Sequence, residues 1–173
     1  MVLIRKHVRA QIYKTALQPY CGSACGFLLG NIDQERIEYA LPLIAGFDIN
    51  KYRSIPGWLD KSLPAAQMVA QKCGEEVIGI FMAFNHYEYS YQNEMRGFLI
   101  DYLCAKELYY LCEFSTDGGE SIWGIGVYQA ARFPHETIKY KMASRKSSAI
   151  QDNPRRVLKI WNDIRNGTEH ANG

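Results

Sequence analysis

The spacing of apolar residues along the chain alternates between a strand period and a helical period, and it predicts seven strands and four helices. The predicted strands are residues 2–4, 24–29, 36–44, 77–84, 108–114, 122–128 and 137–142. The predicted helices are a first one through Val8, Ile12, Ala16 and Leu17, which Pro19 ends, and then residues 64–73, 93–107 and 153–164. The order β-α-β-β-α-β-α-β-β-β-α predicts an α/β (α+β) protein in which helices sandwich a mixed β-sheet.

Residues 24–29 are followed by a Gly30-Asn31 turn and pair with residues 36–44 in a predicted β-hairpin. The pattern is weaker between this hairpin and the second helix. Residues 45–63 lack a period and contain glycines and prolines, so they predict an irregular surface loop, of a length that is often functional. In the helix that follows, Met68 and Val69 are expected to face inward, and Gly74 to close the helix. Residues 77–84 are almost continuously apolar, which predicts a strand buried on both faces.

Composition mainly excludes classes of protein. The chain has 173 residues, enough for one domain, and 47% of them are hydrophobic, so it can bury a core. Its apolar runs fall far short of the roughly 20 residues that a membrane helix needs. Near its start the charged residues follow the apolar ones, which is the reverse of the order in a secretory signal. The net charge of +2 is too small to indicate nucleic acid. We therefore expect a cytoplasmic protein with neither a membrane nor a nucleic acid as partner.

The cysteines indicate free thiols rather than a metal site. Their number is odd and they lie in apolar stretches, as expected in a reducing compartment. They are Cys21, Cys25, Cys73, Cys104 and Cys112. Cys21 and Cys25 look like half of a zinc site, but no second close pair of cysteines or histidines completes the about four ligands that zinc takes. We expect all five cysteines to be buried and inert.

Two segments resemble the JAB/MPN family. Residues 23–30 read S-A-C-G-F-L-L-G and residues 74–81 read G-E-E-V-I-G-I-F. In that family a strand of the type E-A-C-G-F-L-L-G precedes one of the type G-E-E-V-V-G-I-Y-H-S-H-P. The resemblance covers residues 1–143, and residues 144–173 would add a basic C-terminal helix and a polar tail. It implies a JAB/MPN-like fold with a cytidine-deaminase-like layout and an extra C-terminal helix.

The JAMM metalloproteases of this family use zinc to cut ubiquitin and ubiquitin-like or sulfur-carrier tails, and their motif residues are absent here. The resemblance places the general-base Glu at Ser23 and the two His ligands at Met82 and Phe84; the motif Ser and Asp fall at Gln92 and Met95. A phenyl ring cannot bind zinc and a thioether binds it poorly. We therefore expect no metal, no cofactor and no zinc isopeptidase activity, with Met82, Phe84 and Met95 filling the former metal cavity.

A displaced active site is the alternative. Asn85, His86, Tyr87 and Glu88 follow the lost ligands directly, so His86 and Glu88 could act as acid and base in a metal-independent hydrolase or biosynthetic enzyme. A polar loop is the plainer interpretation. Tyr87 and Tyr89 would share one face of an extended segment, which suits either an aromatic binding surface or an ordinary core edge.

The basic C-terminal helix has a solvated polar face and an apolar stripe, Val157, Leu158, Trp161 and Ile164, which would dock on its own domain or on a second subunit. The resemblance favours a catalytically inactive binding module or scaffold, a pseudoenzyme in the terms of that family. Its partner would be a ubiquitin-like or carrier protein, or another MPN-type subunit. The alternatives are a homodimer and an oligomer that assembles through this helix.

The proposed binding residues are Ser23, Met82, Phe84, Asn85, His86, Tyr87, Tyr89, Gln92 and Met95.

Overall fold

A computed structural model describes residues 1–14, 22–85, 92–116, 124–131, 136–144 and 153–171. At residues 85, 92, 116 and 168–171 it describes the backbone only. The strands are β1 (Val2–Arg5), β2 (Ser23–Asn31), β3 (Arg36–Phe47), β4 (Glu76–Asn85), β5 (Tyr110–Thr116), β6 (Gly124–Gln129) and β7 (Tyr140–Ala143). The helices are α1 (Lys6–Ile12), α2 (Ile55–Lys72), α3 (Gln92–Ala105) and α4 (Pro154–Ala171), and a 3-10 helix spans Ile49–Ser54. The predicted order of elements is thus confirmed.

All seven strands form one mixed sheet in the order β6-β5-β4-β2-β3-β1-β7. The strand β2 pairs antiparallel with β3 and β4, whereas β4 and β5 are parallel neighbours joined by α3. The protein is therefore of the mixed α/β class. No helix in the described part of the chain is both long and apolar enough to cross a membrane.

The hairpin of β2 and β3 is confirmed, but its turn lies later than the sequence predicts. The strand β2 continues through Asn31, and the chain turns where the Glu35 amide donates to the Ile32 carbonyl at 3.0 Å. Glu35 adopts a left-handed backbone with φ of 50°. A Gly30-Asn31 turn would have shortened the central strand, and burial of this strand favours the longer pairing.

Helices cover the sheet on both faces, which gives two separate apolar cores. The core on the α1 face contains Val8 and Ile12 of that helix. The core on the other face contains buried residues from α2, α3 and α4, among them Leu59, Leu99 and Trp161. This arrangement agrees with the predicted sandwich, and β4 is buried on both faces as expected because it supplies residues to both cores.

The prediction of an irregular loop at residues 45–63 is wrong. The strand β3 continues to Phe47, and the 3-10 helix and the first half of α2 fill the rest. Pro56 lies in the first turn of α2, where a proline is tolerated because that amide has no partner inside the helix. The sequence signal for this helix is the pair of apolar residues Ile55 and Leu59, which are four residues apart and are both fully buried.

The inward orientation predicted for Met68 is also wrong, since half of its surface is exposed. The inward orientation predicted for Val69 is confirmed, since this residue, about 100° further round the helix, is fully buried. Gly74 closes α2 as predicted, with φ of 70°, a backbone conformation that glycine adopts without strain.

The helix α4 docks on its own domain. Val157 and Trp161 are fully buried in the core that α2 and α3 share, and the Trp161 indole Nε1 donates to the Pro42 carbonyl at 2.7 Å. The helix runs beyond the predicted end at Ile164, to Ala171. Its basic residues Arg155 and Lys159 are exposed, as predicted for a solvated face. A boundary near residue 143 stays a prediction.

We expect Trp161→Ala to lower the free energy of unfolding by about 3–5 kcal/mol, because it removes a fully buried indole and leaves a cavity. Trp161→Phe should lower the free energy of unfolding less. It also loses the hydrogen bond to the Pro42 carbonyl, but its ring still fills part of the space that alanine would leave empty. Urea denaturation followed by circular dichroism measures both. The neighbouring exposed residue provides the control, Asn162→Ala. If the alanine variants at 161 and 162 unfold at the same urea concentration, the docking of α4 contributes nothing to stability.

Candidate functional site

The sequence-predicted site falls where the start of β2, the end of β4 and the start of α3 meet. Antiparallel pairing sets Cys25 opposite Met82 and Ala24 opposite Ala83. Ser23 at the start of β2 therefore lies at the same edge of the sheet as Phe84 near the end of β4. Because β4 and β5 are parallel and α3 connects them, this edge holds the carboxyl ends of two parallel strands. Ligands of open α/β sheets bind at such edges.

Three of the predicted residues form what we call the apolar cluster, Met82, Phe84 and Met95. All three are buried and belong to the same core. Ser23, at the start of β2, is also fully buried. Gln92 begins α3, and the structure gives no environment for its side chain or for that of Asn85. The predicted residues His86, Tyr87, Glu88 and Tyr89 lie outside the described residues.

On one side of the apolar cluster, α3 contacts the 3-10 helix through a hydrogen-bonded tyrosine. The Tyr52 hydroxyl donates to Glu94 Oε2 at 3.1 Å, and Arg53 Nε donates to the same hydroxyl at 3.3 Å. The hydrogen bond from Arg53 raises the pKa of its guanidinium. The Tyr52 ring packs edge-on against Phe98 with centroids 5.6 Å apart. These contacts fix the position of the first two turns of α3.

On the other side, Arg96 of α3 reaches over the sheet to a buried carboxylate. Its Nε and Nη2 donate to the two oxygens of Glu113, each at 2.8 Å, and its Nη1 donates to Asn93 Oδ1 at 3.1 Å. The guanidinium also stacks over the Tyr128 ring, 4.3 Å from its centroid. Glu113 is only 4% exposed, and this bidentate bond to a cation offsets part of the cost of desolvating its carboxylate.

The ion pair borders the apolar cluster because Glu113 stands opposite Met82 in the pairing of β5 with β4. Glu94, Met95 and Arg96 are consecutive, and successive helical residues point about 100° apart. One turn of α3 thus presents an anion to Tyr52, a thioether to the core and a cation to Glu113. The site is a rigid, electrically balanced frame around an apolar centre.

The thiol of Cys25, which is opposite Met82 in the sheet, is unreactive. Burial raises the pKa of Cys25 to about 12, so its sulfur stays protonated at neutral pH and is neither a nucleophile nor a good metal ligand. Burial also raises the pKa of Cys112. The expectation that all cysteines are buried is wrong for Cys104, which is exposed, and for Cys73, which is partly exposed. Cys21 lies outside the described residues.

Within the described part of the chain, no three His, Cys, Asp or Glu side chains stand close enough together to hold a metal ion. The groups that the structure does assemble at this edge are paired with one another. Bidentate and stacked contacts of this kind orient side chains and define a surface. Tyr52, Glu94, Arg96 and Glu113 are all engaged in these contacts.

Sequence reasoning missed the two polar contacts that frame the site. Arg96 and Glu113 lie 17 residues apart on different elements, so no local period links them. Tyr52 was assigned to a loop, which hid its partnership with Glu94 on α3. The one available signal was Glu113 itself, a charge inside an otherwise apolar strand, which indicates a buried partner.

We expect Arg96→Ala to lower the free energy of unfolding by about 3–5 kcal/mol, because the buried Glu113 carboxylate loses both of its hydrogen bonds to the guanidinium. A double variant, Arg96→Met with Glu113→Leu, should recover most of this loss, since no buried charge remains. Urea denaturation at neutral pH measures the difference. Lys106→Ala, which removes an exposed ion pair with Asp60, is the control and should change stability by less than about 1 kcal/mol. A double variant no more stable than the single one would contradict this account.

Comparison with known proteins supports the fold and leaves function open. No protein-family model matches the sequence, and no curated protein does. Among solved structures, the chain is similar to the solution structure of protein DSY2949 from Desulfitobacterium hafniense. The two share 13% sequence identity and a TM-score of 0.51 over 88% of this chain and 100% of that one. At that identity the likeness shows a shared fold alone.

Proposed function

We propose that this chain is a JAB/MPN-like protein without zinc chemistry that serves as a binding module. Its partner would be a ubiquitin-like or carrier protein, or another MPN-type subunit. The observation that carries the proposal is the apolar cluster. Met82, Phe84 and Met95 stand at the motif's ligand positions and are packed into the core. Replacing ligands with well-packed apolar volume removes the reaction while preserving the framework.

The glycines of the two resembling segments support the framework part of the proposal. A Cβ on Gly26 would lie 2.2 Å from the Leu41 carbonyl oxygen, and one on Gly79 would lie 2.2 Å from that of Tyr110. Both contacts are with backbone that cannot move without disturbing the sheet. These glycines are thus required for close strand packing, and they belong to the segments that carry the resemblance.

Binding rather than catalysis is favoured by what surrounds the apolar cluster. Glu94 and Phe98 are exposed on α3, next to the Tyr52 hydrogen bond that holds the helix in place. A fixed helix that presents an aromatic ring beside a carboxylate is a suitable anchor for a protein partner, since interfaces concentrate their energy in a few such residues. The alternative enzyme would use His86 and Glu88, which lie outside the described residues. A cytoplasmic location fits free thiols and stays part of the proposal.

The proposal is tested by titrating isotope-labelled protein with ubiquitin and with a bacterial sulfur-carrier protein. We expect one of them to shift the amide signals of α3, and Glu94→Lys to weaken that binding by about tenfold, since a central interface residue contributes 1 kcal/mol or more. Asp101→Lys is the matched control, because Asp101 is exposed on the same helix and the charge change is the same.

The proposal also allows an MPN-type subunit as the partner, and a second copy of this chain serves as the probe for it. Sedimentation of the protein alone measures whether two copies associate. Amide shifts confined to other surfaces would contradict the proposal. So would an equal response of the two lysine variants. A protein that neither binds the carriers at millimolar concentration nor self-associates would leave the binding function without support.

A further inference from the structure

The charges of this chain are separated along its sequence. Residues 1–14, 137–144 and 153–162 contain nine of the chain's 20 lysines and arginines and none of its 18 aspartates and glutamates. The net charge of +2 is therefore the sum of three basic segments and an acidic remainder. It understates the positive field that these segments produce wherever the fold brings them together.

The fold brings the three basic segments to one edge of the sheet. The strand β7 pairs with β1 along four residues, and α1 follows β1 without a loop. The Gln11 amide in α1 donates to the Pro154 carbonyl at the start of α4, at 3.2 Å. The Arg5 guanidinium, at the junction of β1 and α1, donates to the Ser144 carbonyl just after β7, at 2.9 Å. These contacts hold β7, α1 and the first turns of α4 beside one another.

Basic side chains at this edge are exposed. Lys6 begins α1 and Lys14 follows its end, and a rise of 1.5 Å per residue separates the two by about 12 Å along the helix. Arg155 and Lys159 are exposed on the first two turns of α4, and Lys141 is exposed on β7. We call these five residues the basic edge.

The carboxylates beside the basic edge are occupied elsewhere or stand apart from it. Glu38 on β3 is fully buried and accepts from two arginines. Glu35 accepts from the terminal amine before β1, at the end of that strand away from α1. Asp163 lies one turn beyond Lys159 on α4. Among the described residues, no member of the basic edge is in an ion pair, so its charge is open to a partner.

The composition of the basic edge favours a phosphate backbone over a protein surface. Protein interfaces concentrate their energy in apolar and aromatic anchors, whereas phosphates bind through charge and the release of counterions. The large apolar side chains that the described residues expose are Met68 on α2, Phe98 on α3 and Met1 before β1. None of these is on α1, β7 or α4. The basic edge thus offers charge without an anchor.

The aromatic rings at this edge favour a duplex over a single strand. Single strands bind by stacking their bases on open aromatic faces. Tyr13 and Tyr140 are half-buried and pack against the core, and the His7 ring packs against Tyr39 with centroids 5.7 Å apart. A duplex carries one negative charge for every 1.7 Å or so of its axis, so a surface about 12 Å long faces several phosphates.

We propose that the basic edge binds the phosphate backbone of a nucleic-acid duplex without reading its sequence. DNA and RNA share this chemistry, and the experiment distinguishes them. The expectation of no nucleic-acid partner depends on the net charge of +2, which does not describe this edge. The basic edge is on other elements than α3, so this proposal does not rest on the binding proposed there and can fail by itself.

The test measures fluorescence anisotropy of fluorescein-labelled duplexes of about 20 base pairs, one of DNA and one of RNA, with the full chain. We expect micromolar dissociation constants at about 50 mM salt, and weaker binding as the salt concentration rises. A triple variant, Lys6→Gln with Lys14→Gln and Lys159→Gln, removes three exposed charges. It should weaken binding at least about tenfold. It should also lower the slope of log Kd against log salt concentration by about 2–3, since each phosphate contact contributes about 0.9.

The matched control removes the same three charges from exposed lysines on the 3-10 helix and α2, as Lys51→Gln with Lys61→Gln and Lys72→Gln. It should weaken binding by less than about threefold, because distant charges are screened. Circular dichroism checks that both variants are folded. A response to one duplex alone assigns DNA or RNA as the partner.

Four results would overturn the proposal. The first is an equal loss of affinity in the two triple variants. The second is binding of single-stranded oligothymidine as tight as that of the duplexes. The third is equally tight binding of an oligoglutamate of the same charge, or of phosphatidylserine vesicles, which would assign the basic edge to an acidic protein or a membrane surface. The last is no binding of either duplex at about 0.1 mM protein and 50 mM salt, where several phosphate contacts would be detected.

Discussion

The structure depends on one requirement, that the central strand β2 be covered on both faces. Its residues from Ser23 to Gly30 are all buried, with Phe27 in one core and Leu28 in the other. A strand of this kind needs strands on both edges and helices above and below. The hairpin with β3, the antiparallel pairing with β4 and the distribution of helices between the faces all meet that requirement.

The same requirement explains the character of the candidate site. The described side chains where β2 begins and β4 ends are buried, so a polar group among them needs a hydrogen-bond partner. Glu113 is retained because Arg96 bonds both of its oxygens. Met82 and Met95 occupy their positions as core residues. The site therefore combines paired charges with an apolar centre.

The sequence was informative where burial imposes a period and uninformative where contacts are distant. The strands β2 and β4 were predictable because they are almost continuously apolar, and β3 because its composition is rich in strand-forming residues. Residues 45–63 were misassigned to a loop because their glycines and prolines were taken as loop signals, although Pro56 lies in the first turn of a helix whose inner face bears Ile55 and Leu59. The bond between Arg96 and Glu113 joins two elements whose approach is set by the whole sheet. No local pattern encodes such a pair.

We propose that the apolar cluster stands where the zinc proteins of the resembling family hold their metal, and zinc stoichiometry tests this proposal most directly. The chain should be purified without chelators, equilibrated with one equivalent of zinc, desalted and analysed by mass spectrometry for metal per chain. The account predicts far less than one zinc ion per chain, since neither the Phe84 ring nor the Met82 and Met95 thioethers make an adequate ligand set. One tightly held zinc ion per chain, lost when Ser23 or Met95 is replaced by alanine, would contradict it.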